Sequence, residues 1–274
     1  MIVGTLTALL AIYFGLIFIV YVSQRSLMYN PGKTVSGPEA HNLPEMKNLA
    51  LTTADGLVIQ SWYAEPQKGQ LILIFFHGNS GSIADRADKV RPYLNAGLGV
   101  ILAGYRGFGG NPGSPTEAGL YKDASSILNY LLDNKIRPEQ WVIYGESLGA
   151  GVATEMAYRY SLQNTPVGLV ILEAPFTSMG DAAAFHYPLL PARYLVRDKY
   201  SSISKIGEIN SPLLIIHGKE DKTVPQKLGK ELFRAAQDPK LPLWVDEAGH
   251  NNLYDFGVAP KILNFINHYK HQQK

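Results

Sequence analysis

One serine lies on a short glycine-rich stretch, YGESLGAG (144–151), in the pattern Gly-x-Ser-x-Gly. The apolar run WVIY (141–144) precedes the serine, and a helical pattern follows it. A strand, a sharp turn and a helix in this order hold a serine in a strained backbone conformation, with its hydroxyl projecting above a sheet. The glycines leave room for the turn, and the N-terminus of the helix favours developing negative charge. We therefore predict that Ser147 is a nucleophile; the alternative is a glycine-rich turn with an incidental serine.

A serine hydroxyl is a poor nucleophile until a base removes its proton, and the base must itself be oriented by a further group. Asp221 follows the apolar run LLIIH (213–217), and His250 follows the run LPLWV (241–245). Both residues lie in loops at the carboxyl ends of predicted strands, where open α/β sheets place their ligands. We predict that His250 is the general base and acid, and that Asp221 orients it.

Other residues of the same types offer alternatives. Glu220 and Asp246 lie within a few residues of the predicted acid and base, so either carboxylate is an alternative acid. His77, His186 and His217 are alternative bases. His77 follows a predicted strand and His217 ends one, which favours structural roles for both. His186 lies in a segment that could face either substrate or solvent.

An acyl-transfer site also needs hydrogen-bond donors for the oxyanion of a tetrahedral intermediate. The loop HGNSG (77–81) follows the apolar run LILIFF (71–76), and its glycines let backbone N–H groups approach a ligand closely. We predict that the N–H groups of Asn79 and Leu148 form the oxyanion hole.

The composition excludes several classes of function. The chain has 274 residues, a formal net charge of +2 and no cysteine. Without cysteine it has no disulfide, no thiol nucleophile and no cysteine-ligated metal. Basic and acidic residues are interspersed, so no basic block indicates nucleic-acid binding, and we expect no nucleic-acid partner. The length suits one large α/β domain or two small domains.

Residues 3–22 form a continuous uncharged run, VGTLTALLAIYFGLIFIVYV. A helix of about 20 apolar residues crosses the hydrocarbon core of a bilayer, so we predict a membrane anchor over residues 1–24 that contacts the membrane through residues 3–22. The alternatives are a buried core helix and a cleaved signal peptide, which normally has a shorter apolar region and a preceding positive charge. Arg25 and Lys33 follow the run, and this bias favours a cytoplasmic location for the rest of the chain.

Short apolar runs alternate with helical patterns after an irregular tether over residues 25–48. The first two runs, 49–53 and 57–65, are predicted to form an antiparallel hairpin. Alternation of the later runs with helices predicts a mostly parallel sheet, in a domain that spans 49–274. The later strands are predicted at 71–76, 99–103, 141–144, 167–172, 213–217 and 241–245, and the helices near 82–96, 116–134, 148–162, 225–236 and 252–269.

Residues 173–211 interrupt this alternation with prolines, aromatic residues and leucines. We predict that they form a cap on top of the sheet, and we expect Phe176, Phe185 and Tyr187 to contact an apolar substrate. Tyr105, in a glycine-rich loop, is predicted either to contact the substrate or to brace its loop. The alternative for the cap is that it merely covers the sheet.

Six motifs occur together in an order typical of one superfamily. They are HGNSG (77–81), YRGFGGNPGSPTEAGLYKDA (105–124), YGESLGAG (144–151), EAPFTS (173–178), HGKEDKTVP (217–225) and AGHNN (248–252). From about residue 25 to its C-terminus the chain resembles the α/β-hydrolase superfamily. The resemblance is strongest to the membrane-anchored branch, which includes bacterial proteins labelled as esterase, lipase or serine aminopeptidase.

The resemblance implies an α/β fold with an eight-stranded, mostly parallel sheet, in which only the second strand is antiparallel, and a short cap after the sixth strand. It also implies a serine hydrolase with neither a metal nor an organic cofactor, and it assigns the triad to Ser147, Asp221 and His250. Relatives usually carry an acidic residue where this chain has Gly104, so the bracing of the loop after the fourth strand is expected to differ.

The expected substrate is an acyl ester or thioester that is lipid-like or acylated, because the predicted anchor holds the site near a bilayer and the cap is apolar. Two alternatives remain. A serine aminopeptidase or amidase would need carboxylates to bind a free amine, and Glu146 and Glu173 are the nearest in sequence. A catalytically silent, membrane-anchored binding module would need no triad.

Overall fold

Strands and helices alternate along most of the chain, and the computed structural model describes them over residues 2–33 and 35–270. The strands are β1 (Asn30–Pro31), β2 (Lys47–Thr52), β3 (Val58–Ala64), β4 (Ile72–Phe76), β5 (Ser80–Gly81), β6 (Gly99–Ala103), β7 (Trp141–Glu146), β8 (Leu169–Glu173), β9 (Leu213–Gly218) and β10 (Lys240–Val245). The α-helices are α1 (Ile2–Met28), α2 (Ala87–Asn95), α3 (Glu117–Asp133), α4 (Leu148–Leu162), α5 (Met179–His186), α6 (Ala192–Leu195), α7 (Gln226–Ala235) and α8 (Val258–Lys270). Short 3₁₀-helices cover Pro38–His41, Ile83–Arg86, Pro138–Gln140, Ile206–Glu208 and Leu253–Phe256.

The longer strands form one eight-stranded sheet in the order β10-β9-β8-β7-β4-β6-β3-β2. β3 pairs antiparallel with both β2 and β6, and all other neighbours in this sheet pair parallel. The predicted hairpin and the single antiparallel strand are both confirmed. The central strands β4, β6, β7 and β8 are buried along their whole length, which explains their continuous apolar sequences.

The carboxyl ends of the central strands meet at one edge of the sheet. Phe76 at the end of β4 pairs with Gly145 of β7, and Glu146 of β7 pairs with Glu173 at the end of β8. The ends of β9 and β10 are likewise paired. Because these strands are parallel, the loops that follow them leave the same edge, and the residues predicted for catalysis lie in or directly after those loops.

Apolar side chains fill both faces of the sheet. Helices α3, α4 and α7 contribute to the core on one face, and α2 and α8 contribute to the core on the other. Val152 and Met156 of α4 are buried behind the central strands. Each such side chain stabilises the fold by about 1.5–3 kcal/mol, so the turn between β7 and α4 rests on two rigid elements.

α1 is 27 residues long and carries no charged residue before Arg25. At about 1.5 Å per residue it is about 40 Å long, and it is long and apolar enough to cross a bilayer. The sequence predicted that the anchor ends at residue 24, but the helix continues to Met28. Contacts with the cap stabilise this extension, since Gln24 is buried there and Arg25 donates to Asp198 at 2.8 Å.

The segment predicted as an irregular tether, 25–48, is partly regular. It contains the end of α1, strand β1, a 3₁₀-helix and the start of β2. β1 pairs parallel with β5, which places Asn30 beside Ser80. The chain that leaves α1 therefore runs along the HGNSG loop, in which we predict an oxyanion donor.

The cap follows β8, which is the sixth strand of the sheet in chain order, as expected. It contains α5, α6 and the 3₁₀-helix Ile206–Glu208. The predicted range 173–211 begins slightly early, because Glu173 still pairs within the sheet as the last residue of β8.

Candidate active site

Ser147 occupies the sharp turn between β7 and α4. Its φ is 52° and its ψ is −114°, a conformation that non-glycine residues rarely adopt and that costs about 1–3 kcal/mol. A Cβ on Gly145 would lie 2.4 Å from the carbonyl oxygen of Gly149, and a Cβ on Gly149 would lie 2.0 Å from that of Phe76. Both positions therefore require glycine, and the Gly-x-Ser-x-Gly spacing follows from the close packing of this turn.

The structure brings together the three residues predicted as a triad. Oγ of Ser147 lies 3.0 Å from Nε2 of His250, and Nδ1 of His250 lies 2.7 Å from Oδ2 of Asp221. With Nδ1–H donating to the carboxylate, Nε2 is the nitrogen that accepts the serine proton. The other oxygen of Asp221 accepts the N–H groups of Thr223 and Val224, each at 2.8 Å. This geometry suits proton transfer from the serine hydroxyl to the imidazole.

The carboxyl group of Asp221 is held in its charged form. Burial on its own raises its pKa, but hydrogen bonds from His217 and His250 outweigh burial and hold the pKa well below its usual range. His217 is buried, and its Nε2 lies 3.2 Å from Oδ2 of Asp221 and 2.8 Å from the carbonyl oxygen of Val224. The sequence indicated only a structural histidine at this position, and the structure places it against the predicted acid.

Neither of the other alternative bases is hydrogen-bonded to Ser147, although His186 lines the same cavity. His77 is buried and hydrogen-bonds through Nδ1 to the carbonyl oxygen of Gly78 at 2.8 Å. Burial, with the nearby charge of Arg86, lowers the pKa of His77 to about 4, so this histidine is neutral near pH 7. His186 is exposed, and its Nε2 lies 2.7 Å from the carbonyl oxygen of a cap-facing loop residue.

The alternative acids lie away from His250 as well. Glu220 is exposed, and Asp246 forms an ion pair with Lys219 near the surface. Neither carboxylate is hydrogen-bonded to His250, whereas Asp221 is. Among these acids, the geometry therefore favours Asp221.

The two predicted oxyanion donors lie beside the serine. Asn79 and Leu148 line the same cavity as Ser147, and Leu148 is the first residue of α4. The side-chain amide of Asn79 donates to the carbonyl oxygen of Met28 at 2.7 Å, and the backbone carbonyl oxygen of Asn79 accepts the N–H of Asn30 at 2.8 Å. The end of α1 and the strand after it thus hold the oxyanion loop in position.

A buried charge network lies behind the turn. Lys89 donates to both Glu146 at 2.8 Å and Glu173 at 2.7 Å, and Arg86 donates to Glu146 at 2.7 Å. Burial on its own raises the pKa of Glu146, but Lys89 and Arg86 together hold it below its usual value. Both carboxylates are thus occupied by cations of this chain, which counts against their use as an amine-binding pair. Neither Arg86 nor Lys89 lies within a sequence motif, so no pattern in the sequence predicts their role.

An apolar cavity of about 280 Å³ opens beside Ser147. Phe176 and Tyr187 line it, as expected for substrate contacts. The cavity also has a wall that the sequence analysis missed, because the N-terminal helix was predicted only as an anchor. Residues of α1 that form this wall are Ile17, Val20, Tyr21, Gln24, Leu27 and Met28.

Two residues expected to contact the substrate do not line this cavity. Tyr105 is fully buried and packs against His77, with ring centroids 4.4 Å apart, so it braces the core and does not line the cavity. Phe185 is on the outer side of α5, where its ring contacts His186 and the amino group of Lys227. The α5 residues that line the cavity are Met179, Ala182, Ala183 and His186, and the Phe185 side chain is exposed.

The loop after β6 is braced without an acidic residue at position 104. A Cβ on Gly104 would lie 1.9 Å from the carbonyl oxygen of Gln60, so no side chain fits there. Arg106 holds the loop instead, with bonds to Asp123 at 2.7 Å and to Asp55 at 2.9 Å. The departure from the family pattern thus reflects a close backbone contact with β3.

Known proteins resemble this chain in sequence or in fold. A family profile of the α/β hydrolase fold matches residues 72–196. An uncharacterized protein of Mycobacterium tuberculosis is 37% identical over 87% of this chain and 84% of that protein. A lysophosphatidylserine lipase of Danio rerio is 32% identical over 74% of this chain and 62% of that protein. An esterase structure from Pyrococcus furiosus covers 89% of this chain and 98% of its own, with 20% identity and a TM-score of 0.67. The chain belongs to the α/β-hydrolase superfamily.

Proposed function

We propose that the chain is a membrane-anchored serine hydrolase that cleaves an acyl ester or thioester with a lipid-like acyl group. Membership of the superfamily and the lipase relative support a hydrolase. The observation that carries the serine mechanism is the continuous hydrogen-bonded array from Ser147 through His250 to Asp221 at the mouth of an apolar cavity.

The chemistry follows from this array. His250 takes the proton of Ser147 as the serine oxygen attacks the acyl carbonyl carbon, and the N–H groups of Asn79 and Leu148 stabilise the resulting oxyanion. The protonated His250, stabilised by the Asp221 carboxylate, then gives its proton to the departing alcohol or thiol, which leaves an acyl-enzyme. A water molecule deprotonated by the same histidine releases the carboxylic acid and restores the serine.

The apolar character of the cavity supports a lipid-like acyl group. Its walls come from aliphatic and aromatic residues of α1 and the cap, and few polar side chains interrupt them. Such a surface binds an alkyl chain mainly through burial of methylene groups, at about 0.8 kcal/mol each. The lysophosphatidylserine lipase of Danio rerio acts, by its name, on a lipid, and this agrees with the proposal.

Retention of α1 as an anchor is part of the proposal. Cleavage of α1 after Met28 would remove one wall of the cavity and the Met28 carbonyl that holds Asn79. It would also leave the buried Asp198 without its partner Arg25. These contacts support a helix that stays attached, with the hydrolase domain at the membrane surface.

Covalent labelling by a fluorophosphonate probe tests the serine mechanism. We expect the folded, detergent-solubilised protein to be labelled, Ser147→Ala to be unlabelled, and Ser204→Ala, a control on the exposed cap surface, to be labelled like the wild type. Equal labelling of wild type and Ser147→Ala would show that another residue reacts. Absence of labelling in the folded wild type would refute the proposal and favour a binding module.

A further inference from the structure

Large apolar side chains are exposed on the cap loop, which we define as residues 187–194, YPLLPARY. Leu189 is 85% exposed and Tyr194 is 84% exposed. The exposed cations Arg193 and Arg197 lie within and just after the loop. An apolar patch rimmed by charges marks an interaction surface, and aromatic residues beside cations are typical of the boundary between a bilayer and water.

Contacts at two heights hold the cap loop and residues 195–197, which directly follow it, along α1. The hydroxyl of Tyr13 donates to the carbonyl oxygen of Leu189 at 3.0 Å. Nearer the end of α1, Gln24 donates to the carbonyl oxygen of Leu195 at 3.3 Å and accepts the N–H of Arg197 at 2.7 Å. Tyr13 and Gln24 are separated by about 16 Å of helix axis, at about 1.5 Å per residue. The loop therefore follows α1 over several turns of the helix.

The charged residues set the depth of the loop relative to a bilayer. α1 is uncharged up to Gln24, so Arg25, together with Arg197 over the ring of Tyr21 one turn earlier, belongs to the headgroup region if α1 spans the membrane. Leu189, which contacts Tyr13, then lies among the acyl chains. We propose that the cap loop is inserted beside α1 into the leaflet that adjoins the C-terminal end of this helix. Its partner is the acyl-chain region of that leaflet.

Insertion of the loop has a consequence for the substrate. The cavity lies between the same two elements, with Val20 on one side and Tyr187 and Leu190 on the other, and it reaches Ser147. An acyl chain can therefore pass from the leaflet to the serine between apolar walls without entering water. We therefore infer that the substrate is a lipid taken laterally from the bilayer. This rests on the proposed function for the membrane anchor and for Ser147 as the nucleophile.

The absence of cysteine from the chain allows a direct test of loop insertion. Leu189→Cys is labelled with the environment-sensitive fluorophore NBD and reconstituted into phosphatidylcholine vesicles with or without brominated acyl chains. The matched control is Leu162→Cys, a leucine that is 58% exposed at the far end of α4, about 22 Å along the helix from Ser147. Tyr194→Cys serves as a second loop position if Leu189→Cys does not fold.

We expect a blue-shifted emission and at least about twofold quenching by brominated lipid at the loop position, and neither effect at the control. Water-like emission without quenching at the loop, in a protein that is shown to be in the vesicles, would overturn the inference. The readout requires no catalysis, and fluorophosphonate labelling is measured on the same samples. Quenching without labelling would refute the serine mechanism and leave loop insertion supported. Labelling without quenching would support the serine mechanism and overturn loop insertion.

Discussion

Val20→Trp should shorten the acyl chain that the enzyme accepts. Val20 is on α1 and lines the cavity of about 280 Å³ that reaches Ser147, so an indole at this position occupies space that an acyl chain would fill. Burial of one methylene contributes about 0.8 kcal/mol, which is about a fourfold effect on kcat/KM at about 1.4 kcal/mol per factor of ten. Exclusion of about two methylenes therefore lowers kcat/KM for a long-chain ester about 15-fold. A short-chain ester should be hydrolysed as before.

The assay compares p-nitrophenyl acetate, octanoate and laurate as substrates of the detergent-solubilised protein. Ile19→Trp is the matched control, because this neighbouring residue is 61% exposed and lies outside the cavity lining. It makes a similar change in helix composition without filling the cavity. Fluorophosphonate labelling of each variant establishes that the serine remains reactive. An equal fall for acetate and laurate, or the same shift in Ile19→Trp, would refute a role of α1 in acyl binding.

Three other substitutions test the elements around the site. Lys89→Met should lower Tm, because it leaves two buried carboxylates without their shared cation at a cost of about 3–5 kcal/mol. Lys68→Met, at an exposed position, should leave Tm unchanged, and thermal unfolding followed by circular dichroism measures both. Asn79→Ala should lower kcat up to about tenfold with little change in KM, since the oxyanion loop loses a hydrogen bond to the end of α1; unchanged kcat would contradict this coupling. Asp221→Asn should lower kcat about 10⁴-fold. The pKa of Asp221 is lowered, so its contribution to the free energy of unfolding is present above its usual pKa of about 3.9 and is lost as pH falls through the folded-state pKa. The difference in the free energy of unfolding between wild type and this variant should therefore close in acid. A difference that stays constant with pH would contradict the lowered pKa.

Much of the fold could be predicted because local patterns and global structure agree. Continuous apolar runs predicted the buried strands, and the helical stretch 148–162 matches α4 in full. The predicted elbow, acid and base follow the ends of β7, β9 and β10, and a parallel sheet brings such ends to one edge. That edge accounts for the meeting of Ser147, Asp221 and His250, although the three residues are distant in sequence.

The two residues that were expected at the cavity but do not line it have in common a side-chain direction that the sequence does not record. Tyr105 and Phe185 both lie in loops or short helices near the site, and composition alone does not tell which way their rings point. Tyr105 turns into the core because His77 and Phe108 form an aromatic cluster with it, and Phe185 turns outward. Lys89 was not predicted either, because it lies outside every motif and only the fold shows that one face of α2 brings it to the buried carboxylates.

By itself the sequence determined the superfamily, the succession of strands and helices along the chain, the serine turn and an apolar N-terminal helix, because each depends on short motifs or on a repeated spacing. Only the tertiary structure decided that this helix is also a wall of the cavity. The deciding contacts, Tyr13 with Leu189 and Arg25 with Asp198, join residues more than 170 positions apart. They form because the cap returns over the sheet to the end of α1. Neither segment has a sequence pattern that predicts this contact.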